Sequence, residues 1–291
     1  DAVVGGHSHT LLSNTEEGEQ AYPLLDAGGV PVVQAYAYSK YVGHLTLTFD
    51  DDGNVTASEG NTTILDASVT PDEAVAIRVA ALAEPIAAMQ ERVIGTASAA
   101  IEGDRAFCRQ EECQMGNLVA TAMLDRVSDQ GIDIAIQNGG GLRASIDAGD
   151  VTMGEVLTVL PFQNTLATFQ LTGANVLAAL ENGVSRLEDG GGRFPQVAGL
   201  KYTFDPAAEV GSRVSDVMVG SGDDFAPLEL DATYGIVSNN FMRGGGDGYS
   251  VFAEDGMNAY DFGPDLADVV AEFIGMNGTE ASMLDGRITR K

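Results

Sequence analysis

The chain has 291 residues, 44% of them hydrophobic, with 15 basic against 43 acidic side chains and a formal net charge of −28. That length suits one large domain or two ordinary ones, and that apolar content supports a core rather than a disordered tail. So acidic a surface repels nucleic-acid backbones and anionic membranes, which argues against a polyanion-binding role.

No apolar run is long enough to span a bilayer. The chain opens on Asp1-Ala2-Val3-Val4, without the basic start of a signal peptide, and reads as a mature product or an excised piece. The next residues, Gly5-Gly6-His7-Ser8-His9-Thr10, set two histidines two apart after an apolar stretch. Both can face one site where a strand has ended in a loop, although paired histidines also occur in plain turns.

Residues 30–38 and 43–50 read as strands, with a turn at DDDGNV after the second. The composition then becomes Ala-rich, and from Thr70 the text TPDEAVAIRVAALAEPIAAMQERVIG predicts a long helix. Thr70 suits its N-cap, Pro71 its first position and Glu73 a capping box, while Pro85 should kink the helix or end its first half. One long helix between dissimilar blocks is a candidate connector.

Beyond it, strands and helices alternate. Residues 115–127 set Val119, Met123 and Val127 on one helical stripe, and 132–137 is a strand running into three glycines. Thr152 with Glu155 opens a short helix, and Thr172 caps another over 173–185. Strands are expected near 198–204, 214–219 and 233–238, and a last helix near 264–274. The mixed order predicts an α+β (mixed α/β) domain of about 200 residues.

Cys108 and Cys113 are the only cysteines. Free thiols or a metal pair are open readings; a small disulfide loop is the favoured one, worth about 2 kcal/mol in the chain-entropy model and pointing to an oxidising compartment. Three irregular segments then carry chemistry: Asn138-Gly139-Gly140-Gly141-Leu142-Arg143, Pro161-Phe162-Gln163-Asn164, and the run from Val237 to Tyr249, VSNNFMRGGGDGY. Singly, Phe162 and Phe241 suit a core, Asp247 a turn and Arg143 a solvated face. Three glycines in a row are harder to dismiss, because glycine loses the most conformational freedom on folding. Two aromatic faces can stack a planar ring, a carboxylate can accept from vicinal hydroxyls, and an arginine fork pairs with phosphate. Ring, sugar and phosphate together describe a nucleotide.

The segments NGGGLR, VLPFQNTL and NNFMRGGGDGY resemble the signature segments of the 5'-nucleotidases, two-domain extracytoplasmic metallophosphoesterases. The similarity continues through residues 103–123, 194–205 and the terminal DGRI. The resemblance implies that Phe162 and Phe241 sandwich the base, that Asp247 holds the ribose and that Arg109 and Arg143 hold phosphate, with Arg105 a third. It puts Asn138 and Asn164 at polar substrate contacts. Two features depart from the family pattern and bear on substrate preference: Gln163 stands where Gly is usual, and Arg243 precedes Asp247 with an extra glycine. The resemblance also implies nucleotides or nucleosides as partners and hydrolysis of nucleotide phosphate esters; cyclic-nucleotide or pyrophosphate hydrolysis and a non-catalytic binding module are the alternatives.

By the same resemblance, GH-x-H is the last metal motif of the phosphoesterase domain. His7 and His9 would each ligate one of two divalent ions (zinc, manganese or similar), and His44 would be structural. The Asp-x-His and GNH motifs are absent, so residues 1–58 look like the tail of a catalytic domain, 59–93 a linker and 94–291 the substrate-binding domain. In the intact enzyme a metal-bound hydroxide would attack phosphorus in line. This chain alone is expected to bind nucleotides without hydrolysing them.

Overall fold

The computed structural model describes residues 1–291, which divide into two compact units, Asp1–Leu82 and Ala83–Lys291. In the first unit, β1 (Val3–Val4), β2 (Leu24–Leu25) and β3 (Pro31–Val33) form a small sheet in the order β1-β3-β2. A long hairpin follows, β4 (Tyr41–Phe49) against β5 (Val55–Ile64). Its core is slight: Leu12, Tyr22 and Val33, with Leu24 and Leu45 packed on them. The strand expected over 30–38 is only three residues long. Tyr36, Tyr38 and Ser39 take φ of 62°, 58° and 55°, left-handed values that no strand can hold. The sequence-based boundary at 58/59 lies inside β5.

The helix α1 (Glu73–Gln90) begins later than expected. Asp72, not Thr70, caps it, accepting from the Val75 N–H at 3.0 Å through its side chain and from Ala76 at 2.9 Å through its carbonyl. The helix passes Pro85 without ending. Proline removes one intrahelical bond there, and the surrounding alanines, the best helix formers, sustain the rest.

The second unit runs β6 (Val93–Ala97), α2 (Arg105–Cys108), α3 (Gln114–Arg126), β7 (Ile134–Asn138), β8 (Gly149–Thr152), α4 (Met153–Val159), β9 (Leu166–Thr172) and α5 (Gly173–Gly183). It continues through β10 (Pro195–Ala198), β11 (Leu200–Phe204), β12 (Val214–Ser221), β13 (Asp224–Pro227) and β14 (Thr233–Asn239). Then come α6 (Asn240–Arg243), α7 (Ser250–Glu254), β15 (Met257–Tyr260), α8 (Leu266–Asn277) and β16 (Ile288–Arg290). The fold is α+β, as expected. Of the three predicted caps, the two in this unit form: Thr152 and Glu155 make a full capping box, and the Thr172 hydroxyl accepts from the Asn175 N–H.

A central sheet, in the order β10-β7-β14-β9-β15, organises this unit. Strand β7 is buried along its whole length because both its faces are covered. Its alternation sorts the cores: Ala135 joins a cluster with α3, α4 and α8, including Val119, Met123 and Val127, while Ile134 and Ile136 join Phe169, Leu180, Tyr202 and Phe204 on the other side. A second sheet, β13-β12-β11-β16, covers that other face.

Strand direction decides where the loops go. β7 and β14 are parallel, so their C-terminal exits share one end of the sheet. β9 is antiparallel to β14 with Leu166 opposite Asn239, and β10 is antiparallel to β7 with Pro195 opposite Asn138. The segments entering β9 and β10 therefore meet the exits of β7 and β14 at that same end. All three irregular segments singled out in the sequence gather there.

Candidate functional site

At this sheet end the Asn138 amide donates to Asp247 Oδ2 at 2.7 Å, across 109 residues of chain. Asn138 is itself fixed: its Oδ1 accepts from Asn239 at 3.0 Å and from Gln137 at 3.3 Å, and Asn239 also donates to Gln137 Oε1 at 2.8 Å. Gln137 and Asn239 are fully buried and Asn138 nearly so. Such networks are held at buried positions only when their members satisfy one another. Asp247 sits in left-handed backbone, φ 54°, inside a glycine-flanked turn, and its carbonyl accepts from Asn182 at 3.2 Å. The chain thus aims one carboxylate into the end of the sheet.

Three arginines bound the same space. Arg105 opens α2, Arg109 follows that helix, and Arg143 follows the single 3₁₀ turn of the glycines Gly139–Gly141. Burial, and then the charges of Arg105 and Arg143, push the Arg109 guanidinium below its usual value, with Asp247 opposing the shift. One Arg109 nitrogen donates to the Gly190 carbonyl at 3.1 Å, and its Nε is buried with no hydrogen-bond partner. Converging like charges raise the folded state's free energy unless an anion offsets them, and perturbed groups of this kind cluster at functional sites.

The glycines permit the crowding. A Cβ on Gly139 would overlap the Cys108 carbonyl oxygen, and one on Gly140 would lie 2.8 Å from the Gly192 Cα. Cys108 and Cys113 do form a disulfide, which leaves no free thiol in the chain and holds the Arg109 loop closed.

Phe162 and Phe241 are 55% and 47% exposed, so neither is a core residue. The Arg143 guanidinium lies 5.5 Å from the Phe162 ring centroid, and a Cβ on Gly246 would run into the Phe241 ring. Their two segments are stitched together, since Asn240 donates from its backbone to Thr165 O at 2.9 Å and accepts from the Thr165 N–H at 3.1 Å. Phe162 and the partly buried Asn164 share a crevice with Gly141, Leu160, Leu266 and Ala267. Gln163, where the resemblance expects glycine, has φ 53°, a value glycine takes without cost.

Several residues at this end were not singled out from the sequence. The stretch Gly190-Gly191-Gly192-Arg193 enters β10, with Gly192 packed on Gly140; Arg193 donates to Asn182 Oδ1 at 3.0 Å, and its carbonyl accepts from Tyr249 at 2.6 Å. Burial, and then the Asp247 charge, push the Tyr249 phenol well up, so it stays a donor. A second glycine triplet ending in arginine was the available signal for this segment.

In the first unit, His7 and His9 take φ of 68° and 58°, and His9 packs edge-on to Tyr38 and Tyr36, with ring centroids 5.2 and 6.4 Å away. A cleft of about 420 Å³ lies beside these tyrosines, lined by Tyr22, Gln34 and Leu45 among others. Nowhere in the chain do three or more His, Cys, Asp or Glu gather in a way that could hold a metal ion. Two histidines do not make the donor set of a dinuclear site, so these residues alone do not fit a pair of ions. His44 is exposed in β4, opposite Asn61.

The family model for the 5'-nucleotidase C-terminal domain matches residues 93–254, more than half of the chain. The chain belongs to this family. The 5'-nucleotidase precursor of Thermus thermophilus is 40% identical, with a TM-score of 0.75 over 100% of this chain and 59% of that one. The trifunctional nucleotide phosphoesterase protein YfkN of Bacillus subtilis (strain 168) is 37% identical over 99% of this chain and 20% of its own length. Human 5'-nucleotidase is 33% identical over 99% of this chain and 54% of its own. The chain thus spans a fifth to about three-fifths of these relatives, and the sheet-end site falls within the residues that the family model matches.

Proposed function

We propose that the sheet end of the second unit binds a nucleotide, and that the whole protein hydrolyses nucleotide phosphate esters as a 5'-nucleotidase-like phosphoric ester hydrolase. The observation that carries this reading is a single ordered carboxylate, Asp247, beside three converging arginines and between segments bearing two exposed phenylalanines. Phe162 and Phe241 take the base, and Asp247, oriented by Asn138, accepts from the ribose hydroxyls. Arg105, Arg109 and Arg143 offset the phosphate charge, and Asn164 offers a polar contact beside Phe162.

In this reading residues 1–58 belong to the metal-binding catalytic part, 59–93 connect, and 94–291 recognise the substrate. His7 and His9 are two of the ligands for a pair of divalent ions, and hydrolysis needs further donors that these 291 residues do not gather. The buried disulfide supports an extracytoplasmic location. No helix is long and apolar enough to cross a membrane.

Calorimetry on the chain tests the binding half. Adenosine and AMP should bind, AMP more tightly. Phe162→Ala and Phe241→Ala should each weaken both by about 1–3 kcal/mol, the worth of a stacked aromatic face. Unchanged affinity in both variants would remove the base assignment. One observation favours a wider phosphoester range, namely that a 37% identical relative is named a trifunctional nucleotide phosphoesterase. A substrate panel on the whole protein separates these activities.

A further inference from the structure

The edge of the central sheet carries two aromatic rings that no core absorbs. Tyr260, the last residue of β15, is 56% exposed and Phe262 is 83% exposed; their centroids are 6.1 Å apart in an edge-to-face arrangement. Hydrogen bonds run from this segment straight into the site. The Gly263 N–H donates to Leu166 O at 3.1 Å, Leu166 N–H to Pro264 O at 2.9 Å, and Leu266 N–H to Asn164 O at 2.8 Å. Residues 262–266 therefore flank the Phe162–Asn164 turn.

Strand register fixes the face. Tyr260 is paired with Thr168, and directly opposed residues share a side of the sheet. On β9, Phe169 and Leu171 point to one core and Leu166 to the other, so Thr168 lies on the Leu166 side. Leu160, Leu266 and Ala267, which share the Phe162 crevice, belong to that same side. Between the two rings, Asp261 goes the other way, to Arg243 Nε at 3.2 Å, a charge contact whose angle is too poor for a hydrogen bond. Arg243 stands two residues after Phe241, over the Phe169 ring at 5.4 Å, and donates to Phe252 O at 2.6 Å. The pair ties the edge segment to the Phe241 turn, and it uses Arg243, the residue that departs from the family pattern.

Order across the sheet then gives position. In the nucleotide reading the residues for phosphate and ribose stand at the exits of β7 and β14 and those for the base at β14 and β9, and β15 is the next strand outward, about 5 Å further. We propose that Tyr260 and Phe262 form an aromatic shelf at the outer edge of the base position. It takes an aromatic or apolar substituent on the end of the base remote from the ribose. The inference rests on the nucleotide reading above. The two rings expose roughly 300 Å², well short of the ~800 Å² per partner of a stable protein interface, so the patch suits a ring-sized group and not a second chain.

Titrations of the chain with adenosine and N6-benzyladenosine test this. The benzyl compound should bind about threefold to tenfold more tightly, as an added aromatic contact would give. Phe262→Ala, together with Tyr260→Ala, should bring that ratio close to one. Equal affinities in the parent chain, or a ratio that survives the double substitution, would overturn the shelf while leaving the base site standing. Failure of both ligands to bind would remove the nucleotide reading and the shelf with it. Sedimentation showing a dimer that Phe262→Ala dissociates would assign the patch to a second copy and overturn the proposal.

Discussion

Replacing Asn138 by Asp changes one atom of the network at its centre. The new Oδ1 still accepts from Asn239 and Gln137, and only the donor facing Asp247 Oδ2 becomes an oxygen, at 2.7 Å. Two carboxylate charges at that distance would repel by about 6 kcal/mol at an effective dielectric constant of 20. The folded chain avoids this by keeping one proton on the pair, which then restores an O–H donor to Asp247. Holding a proton on a carboxyl of ordinary pKa 3.9 costs about 4 kcal/mol at pH 7 and about 1.5 kcal/mol at pH 5. Partial exposure of Asp247 makes both figures upper bounds. The sign follows from proton counting: the folded variant binds one proton more than its unfolded chain, so stability falls as pH rises. Urea unfolding of Asn138→Asp and the parent at pH 5, 6 and 7 should give a deficit that grows by roughly 1 kcal/mol per pH unit. A deficit constant across that range would show that the amide does not face the carboxylate and would remove the basis for an ordered ribose acceptor.

Other expectations follow from the same geometry. Arg109→Gln should leave thermal stability within about 1 kcal/mol of the parent, because relief of repulsion offsets one lost hydrogen bond, while AMP affinity falls and adenosine affinity holds; equal losses for both ligands would contradict a phosphate role. Gly139→Ala should cost about 1–3 kcal/mol, the usual penalty of overpacking, read in calorimetry as a fall in Tm of about 2–12 °C; an unshifted Tm would mean the Cys108 carbonyl yields freely. Chemical unfolding with and without a reductant should differ by about 2 kcal/mol, the entropy of the small loop closed by Cys108 and Cys113.

Elements marked by strong local rules were legible in the sequence: the Thr152 capping box and the Thr172 cap, the stripe on α3, and the β7 strand running into glycines. The segments that gather at the sheet end were marked in the sequence by glycine triplets, which signal close backbone approach, and the roles proposed for their residues come from the resemblance. What escaped depended on tertiary placement. Nothing local to Thr70 says that Asp72 will cap the helix instead, since both are good cap residues. The left-handed residues Tyr36, Tyr38 and Ser39 broke a segment whose apolar alternation looked like strand. Arg193 reached the site through the antiparallel pairing of β10 with β7, and Asn182 from the end of α5. Gln137 looked like an ordinary strand residue until the sheet buried it, and Asn239 carried no mark of its own within its segment. The boundary between compact units fell within a continuous helix, where composition gives no mark.

Gln196, fully buried in β10, donates to the carbonyls of Cys108 and Glu111 at 3.0 and 2.8 Å and accepts from the Cys113 N–H at 3.2 Å. One interior amide thereby bolts the cystine loop, and Arg109 within it, to the middle of the protein, whereas the benzyl groups of Phe162 and Phe241 sit on turns at the periphery. If the proposed roles hold, drift or engineering can rework those outer turns to admit a new heterocycle while the arginine-bearing half stays put.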